Sequence, residues 1–273
     1  MTEEEKNEIK KEFEILRIIM FKVVQGSTNE FRAKEPWLAT SHSLGLKLFR
    51  HISTVSRLTE PAEELLPDIP FPNEFIDFST AQVVTRAALE TLLIFSFIFN
   101  TDSTEQSKFN FQIWALSGLF DRQKLIPLND NERAIIASER KDIDLLIGEI
   151  SKSSFLSQFT GKQQNQILNG NWVSLRKWGD LASKAGFDKD RFDLHYSYLC
   201  GHSHSSFISS MQISQARDMT SMSALAFSCT IECAIVLAFF IKSFSNISHT
   251  ASDYLAANPT DSALVQKWIE IYK

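Results

Sequence analysis

Two stretches of this chain carry so much apolar surface that any fold must hide them. Residues 79–99 are apolar on nearly every helical face, from Val83 and Val84 through Leu89, Leu92, Leu93 and Phe95 to Ile98. Residues 219–241 form a second run of 23 residues whose only charge is Glu232. A helix that is apolar all round is either a buried core helix or a membrane span. Glu232 sits at the middle of its run, Ser and Thr recur through the first half of it, and no second charge-free span exists, because Arg86 and Glu90 interrupt the first. An unpaired carboxylate is costly in lipid, so the core reading is preferred, with no membrane partner. The expected fold class is all-α, a multi-helix bundle with two buried central helices. Only 9 Gly and 7 Pro in 273 residues agree with it.

Around these runs the chain reads as a single all-helical domain, 1–273. The N-terminal helices occupy 1–60: Ile9, Phe13, Leu16, Ile19, Met20 and Val23 recur at three and four, and a second helix starts after Glu35-Pro36 and runs to Leu58. Pro61, Pro67, Pro70 and Pro72 exclude regular helix or a central strand, so 61–77 is a Pro-rich connection packed by Leu65, Leu66, Ile69, Phe71 and Phe75. The core follows at 79–246, with Asp77-Phe78-Ser79-Thr80 capping its first helix and further helices near 104–124 and 129–151. Ser, Gln, Gly and Asn between Ser153 and Asn171 predict a broken, mobile connection. A short helix from Asn171 closes at Gly186, and Asp188 can cap the next. A polar tail, Ser243 to Thr250, and a C-terminal helix at 262–273 complete the chain.

A net charge of −5 and a pI near 5.7 argue against a surface that grips nucleic acid everywhere, and leave room only for a confined site. Three cysteines form no disulfide framework, and the charged N-terminus lacks the apolar core of a signal peptide, so a cytoplasmic location is expected.

Titratable side chains concentrate between Arg191 and Ser206, R-F-D-L-H-Y-S-Y-L-C-G-H-S-H-S-S, where three of the six histidines lie. No C-x2-C or H-E-x2-H accompanies them, so neither a metal nor a cofactor is expected. Cys200 and His202 diverge on a helix and make a poor nucleophile pair. On a continuous helix His195, Tyr198 and His202 can converge, whereas His204 turns away. Arg86 and Glu90 stand one turn apart in the apolar helix, in the order less favourable for an intrahelical pair, so both are expected to seek tertiary partners. The candidate catalytic set is Arg86, Glu90, Tyr198 and His202, with His204 replacing His202 if Gly201 breaks the helix. Secondary candidates are Arg191, His195, Tyr196, Ser206 and Glu232. An arginine beside a titrating histidine suits phosphate binding and proton exchange, as in RNA cleavage. The same residues can equally form a structural polar network in a non-catalytic binding or sensor module.

The segments R-A-A-L-E, K-W-G-D-L-A-S-K-A-G and Y-S-Y-L-C-G-H-S-H-S-S together resemble the bacterial domain-of-unknown-function family 5677 over about residues 79–240. Arg86 and Glu90 match its R-x3-E helix. Tyr196 or Tyr198, His202 or His204, and Ser206 match its later tyrosine–histidine–serine segment, with Cys200 where the family prefers serine. The resemblance implies a helical relative of the HEPN domains, many of which are metal-independent ribonucleases of toxin and phage-defence systems. The R-x4-6-H spacing usual among those domains is not met, Arg191-x3-His195 being one residue short. The implied partners are RNA at a confined site and a second copy of the chain.

Overall fold

A computed structural model describes residues 1–32, 35–64, 73–172 and 177–272. Its helices are α1 (Glu3–Gly26), α2 (Thr28–Arg32), α3 (Ala39–Leu58), α4 (Phe78–Phe99), α5 (Thr104–Gln123), α6 (Asp130–Lys152), α7 (Gly161–Leu168), α8 (Trp178–Ala185), α9 (Lys189–Ser203), α10 (Phe207–Gln215), α11 (Met219–Ser245), α12 (His249–Ala257) and α13 (Pro259–Glu270). The fold is all-α. The strands among the described residues are two short ones, β1 (Ala62–Glu64) and β2 (Asn73–Phe75), paired antiparallel with Ala62 opposite Phe75. This small ladder lies within the expected Pro-rich connection. The residues thought to pack that connection, Leu65, Leu66, Ile69 and Phe71, lie outside the described residues, as do 173–176 of the helix expected from Asn171.

Within the chain read as one domain, two compact units are distinguishable: residues 1–96 with 182–273, and residues 97–181. In the first, α11 is the axis against which α1, α3, α12 and α13 pack. Phe240 on α11 packs tilted against Phe95 of α4 at 4.7 Å between ring centres and stacks with Phe244 at 5.4 Å. The helices approach closely at Gly45, where a Cβ would lie 3.1 Å from both Phe240 Cζ and a Val24 methyl carbon, so a side chain there would have to displace packed ones. Thr2 opens α1 with a capping box to Glu5, and Phe13, Leu16, Ile19, Met20 and Val23 are its buried stripe, as the periodicity predicts.

Three local expectations need correction. The polar stretch 243–250 is a corner held by a buried serine: α11 runs to Ser245, and Ser248 caps α12, bonds Ser27 Oγ at 2.6 Å and donates to Glu30, which also accepts from the backbone N–H groups of His249 and Thr250. Polar residues enter a core where helix ends leave donors to satisfy. The connection expected to be broken and mobile, 153–171, contains a 3-10 turn at Leu156–Gln158 and α7, which Thr160 and Gln163 cap reciprocally, with Leu156 and Ile167 buried. The last helix begins at Pro259, ahead of the expected 262, because proline suits a first helical position.

The second unit is built from α5, α6 and α7. Asn110 donates to the carbonyl of Phe97 at 2.7 Å, and Phe97 stacks on Trp172 at 4.6 Å. Gly170 has φ +73, and a Cβ there would meet Phe120 at 2.5 Å, so both its conformation and its space require glycine.

Candidate functional site

Helix α9 organises the candidate residues, and its sequence explains its limits. Asp188 accepts from the backbone N–H of Arg191 at 2.8 Å, the expected N-cap. Just upstream, Gly186 at φ +96 ends α8, and Phe187 stacks on Phe239 of α11 at 4.2 Å. Gly201 does not break α9. The helix runs to Ser203, His204 is its C-cap, and the chain turns through Ser205 at φ 50. The backbone N–H of Ser206 returns to the carbonyl of Gly201 at 2.9 Å, and a Cβ at residue 201 would lie 2.9 Å from Ser206 Oγ. Gly201 makes room for the turn. Ser206 serves as the N-cap of α10 and does not enter the polar clusters.

The candidates separate into three groups around α9. The first is Arg86, Glu90, Tyr196 and His204. Arg86 Nε donates to Glu90 Oε1 at 2.9 Å, so the two do pair within their helix, contrary to the expectation from their order. They also share a tertiary partner: Tyr196 donates to Glu90 Oε1 at 2.6 Å and accepts from Arg86 Nη2 at 3.3 Å. Arg86 Nη1 lies 3.4 Å from His204 Nε2, and its guanidinium stands 5.3 Å from the Tyr196 ring centre. The Arg86 and Glu90 side chains keep 20% and 29% of their surface exposed, so this helix has a wet edge there, and Val83 is exposed as well. Burial, then the hydrogen bond to Glu90, push the Tyr196 hydroxyl far above its ordinary pKa, which keeps it a donor. For Arg86, burial opposes the charge, but the bond to Tyr196 and the charge of Glu90 outweigh it and hold the pKa above normal.

The second group centres on a closed imidazole. His202 is buried, with Nδ1 3.3 Å from Ser79 Oγ and Nε2 2.8 Å from Gln212 Oε1. Gln212 Nε2 donates to Tyr198 Oη at 2.9 Å, and burial raises the Tyr198 pKa. His202 and Tyr198, expected to face Arg86, instead tie α9 to α10 and to the start of α4. Cys200 is a free, half-buried thiol, and His202, engaged by Ser79 and Gln212, does not serve it as a base.

The third group joins α9 to α11 and the C-terminus. His195 Nδ1 pairs with the carboxylate of Glu232, and Tyr272 Oη lies 3.5 Å from the same nitrogen. The hydrogen bond to Glu232 raises the His195 pKa despite partial burial. Arg191 donates to the carbonyl of Ile271 at 2.9 Å and lies 4.5 Å from the centre of the Tyr272 ring, so it does not reach Arg86. His195 and Glu232 also line a cleft of about 350 Å³ with Gln82, Leu194, Tyr198, Leu199, Ala224, Leu225 and Ser228. Sequence reasoning did not single out Gln82, Gln212, Ser79 or Ser228 as site residues. The one signal for Gln82 is a polar side chain one turn before Arg86 in an otherwise apolar helix.

Among the described residues, no cluster of three or more His, Cys, Asp or Glu side chains could hold a metal ion. No curated protein and no solved structure matches the chain. Residues 74–218, just over half of the sequence and the stretch that holds Arg86, Glu90 and all of α9, match the model of a family described as a family of unknown function (DUF5677), and the chain belongs to that family.

Proposed function

We propose that the chain is an endoribonuclease of the HEPN-like, metal-independent kind, serving a bacterial toxin or phage-defence system, and that Arg86, Glu90, Tyr196 and His204 are its active centre. The observation that carries this reading is the approach of a partly exposed guanidinium to an exposed imidazole, Arg86 Nη1 to His204 Nε2 at 3.4 Å. A phosphodiester bound there would place its non-bridging oxygens on Arg86, whose orientation Glu90 and Tyr196 fix. His204 would take the proton of a ribose 2′-hydroxyl as its oxygen attacks phosphorus. The bond from phosphorus to the 5′-oxygen then breaks, leaving a 2′,3′-cyclic phosphate, and the departing oxygen takes a proton from the imidazolium or from water.

The competing reading is a non-catalytic binding or sensor module, and it draws on the mutual saturation of Arg86, Glu90 and Tyr196. Single-turnover cleavage of a mixed-sequence RNA separates the two. His204→Ala and Arg86→Ala should each slow cleavage by about 10²-fold or more, within the usual span for a lost acid–base group, while His202→Ala should cleave normally per folded molecule. Absence of cleavage by the wild type, with RNA bound intact, would give the second reading.

We further read α4 and α11 as core helices of a cytoplasmic protein. Both are long and apolar enough to cross a membrane, yet 67% and 72% of their most apolar stretches are buried within the protein, and Glu232 in the second is paired with His195. Recovery only from detergent-extracted membranes would overturn that reading.

A further inference from the structure

We propose that the cleft bounded by α4, α9 and α11 receives a nucleobase of the RNA strand whose phosphate is held at Arg86. This inference rests on the ribonuclease reading and names what that centre recognises. At about 350 Å³ the cleft lies toward the small end of ligand sites, roughly 300–1,000 Å³, which suits one base rather than a longer segment. Its walls are Leu194, Leu199, Leu225 and Ala224, with Tyr198 beside them, and apolar walls with an aromatic suit the faces of a base.

The polar lining is of the kind that reads a base edge. Gln82 Nε2 is committed to Ser228 Oγ at 3.2 Å, and the Ser228 proton goes to the carbonyl of Leu225 at 2.7 Å. Tyr198 Oη accepts from Gln212. Tyr198 lines the cleft, and among the described residues nothing accepts its proton, so the lining holds one open donor, while Gln82, 1% exposed, is held by Ser228. The charged members, His195 and Glu232, pair with each other. The carboxylate also makes the cleft a poor place for phosphate, which leaves a neutral polar group as the fitting occupant.

Connectivity links this cleft to the Arg86 centre. Gln82 and Arg86 are four residues apart on α4, and neighbours at that spacing lie about 5–6 Å apart at Cβ. On α9, Tyr198 faces the cleft and Tyr196 faces Arg86. Tyr196 and Tyr198 point about 200° apart around α9, so the link runs along α4, where a bound strand would meet Arg86 and then, one turn away, Gln82 at the cleft.

The test uses the full chain, with adenosine, guanosine, cytidine and uridine as probes and ribose 5-phosphate as the base-free control, titrated by chemical-shift perturbation alongside RNA cleavage. Ala224 is exposed at the rim, so Ala224→Phe narrows the mouth without touching the core. At least one nucleoside should bind more tightly than ribose 5-phosphate, lose about tenfold or more in Ala224→Phe from steric exclusion, and lose about fivefold in Tyr198→Phe from one hydrogen bond. Nucleosides that bind no better than the sugar phosphate, or that bind Ala224→Phe unchanged, overturn the base site, and they do so whether or not the wild type cleaves RNA. Nucleoside binding that depends on Ala224 and Tyr198 in a protein that never cleaves RNA upholds the cleft as a base site and sinks the ribonuclease reading instead.

Discussion

His202 and His204 stand two residues apart and live in opposite surroundings. His202 is 6% exposed, and both of its ring nitrogens have partners, Ser79 and Gln212. His204 is exposed and caps the end of the same helix, and among the described residues its side-chain hydrogen-bond partner is the partly exposed Arg86. A saturated buried imidazole holds helices together, because any change leaves partners unpaired. An open one beside a cation can exchange a proton with a ligand. Separation along the chain says little about function here. Rotation about the helix axis says more.

The comparison breaks most decisively on activity. If His202→Ala lost about 10²-fold per folded molecule while His204→Ala kept full cleavage, the assignment of roles on α9 would be reversed. Stability should show the opposite ranking. Removing the buried His202 side chain orphans Gln212 and Ser79, and His202→Ala should cost about 2 kcal/mol in denaturant unfolding, against less than about 0.5 kcal/mol for His204→Ala. Equal midpoints for the two variants would show that the buried network contributes nothing.

Glu90→Gln comes next. Its carboxylate takes bonds from both Arg86 and Tyr196 but is partly solvated, so a loss of about 1 kcal/mol is expected, with Tyr196→Phe non-additive to it in a double-mutant cycle. Strict additivity would mean that the cluster is a set of independent contacts.

The smallest effect is a pH dependence from the third group. The pKa of His195 is raised in the folded protein, chiefly by its hydrogen bond to Glu232. Its contribution is therefore complete below the ordinary imidazole pKa of 6.5 and is lost as pH rises through the higher folded value. Because the ring is half-exposed, the contribution should stay below about 1 kcal/mol. Wild type minus Glu232→Gln unfolding midpoints should shrink as pH rises above 6.5, and a difference that grew would show that the pair is not ionic.

Much of the fold was legible before any coordinates. The three- and four-residue spacing in α1, the Asp77 and Asp188 caps, the Gly186 stop and the all-round apolarity of α4 and α11 are local signals, and the structure follows each of them. The polar corner at Ser248 was misread, because its meaning lies in Ser27 and Glu30, more than two hundred residues away. The candidate residues could be gathered from the sequence as a set, but their partition into three groups could not. The stretch Arg191 to Ser206 was found by composition, and Arg86 with Glu90 by their isolation in an apolar helix.

The sequence by itself determined that this chain is helical, which two helices are the most apolar and which stretch gathers its titratable groups, since hydrophobic period, caps and composition act over a few residues. Only the tertiary structure decided that Tyr196, not Tyr198, meets Arg86 and Glu90, that His204 reaches that pair while His202 is sealed between Ser79 and Gln212, and that His195 turns to Glu232. Those choices depend on how α9 is rotated against α4, α10 and α11. That rotation is set by the summed burial of side chains from all four helices, which no single segment encodes.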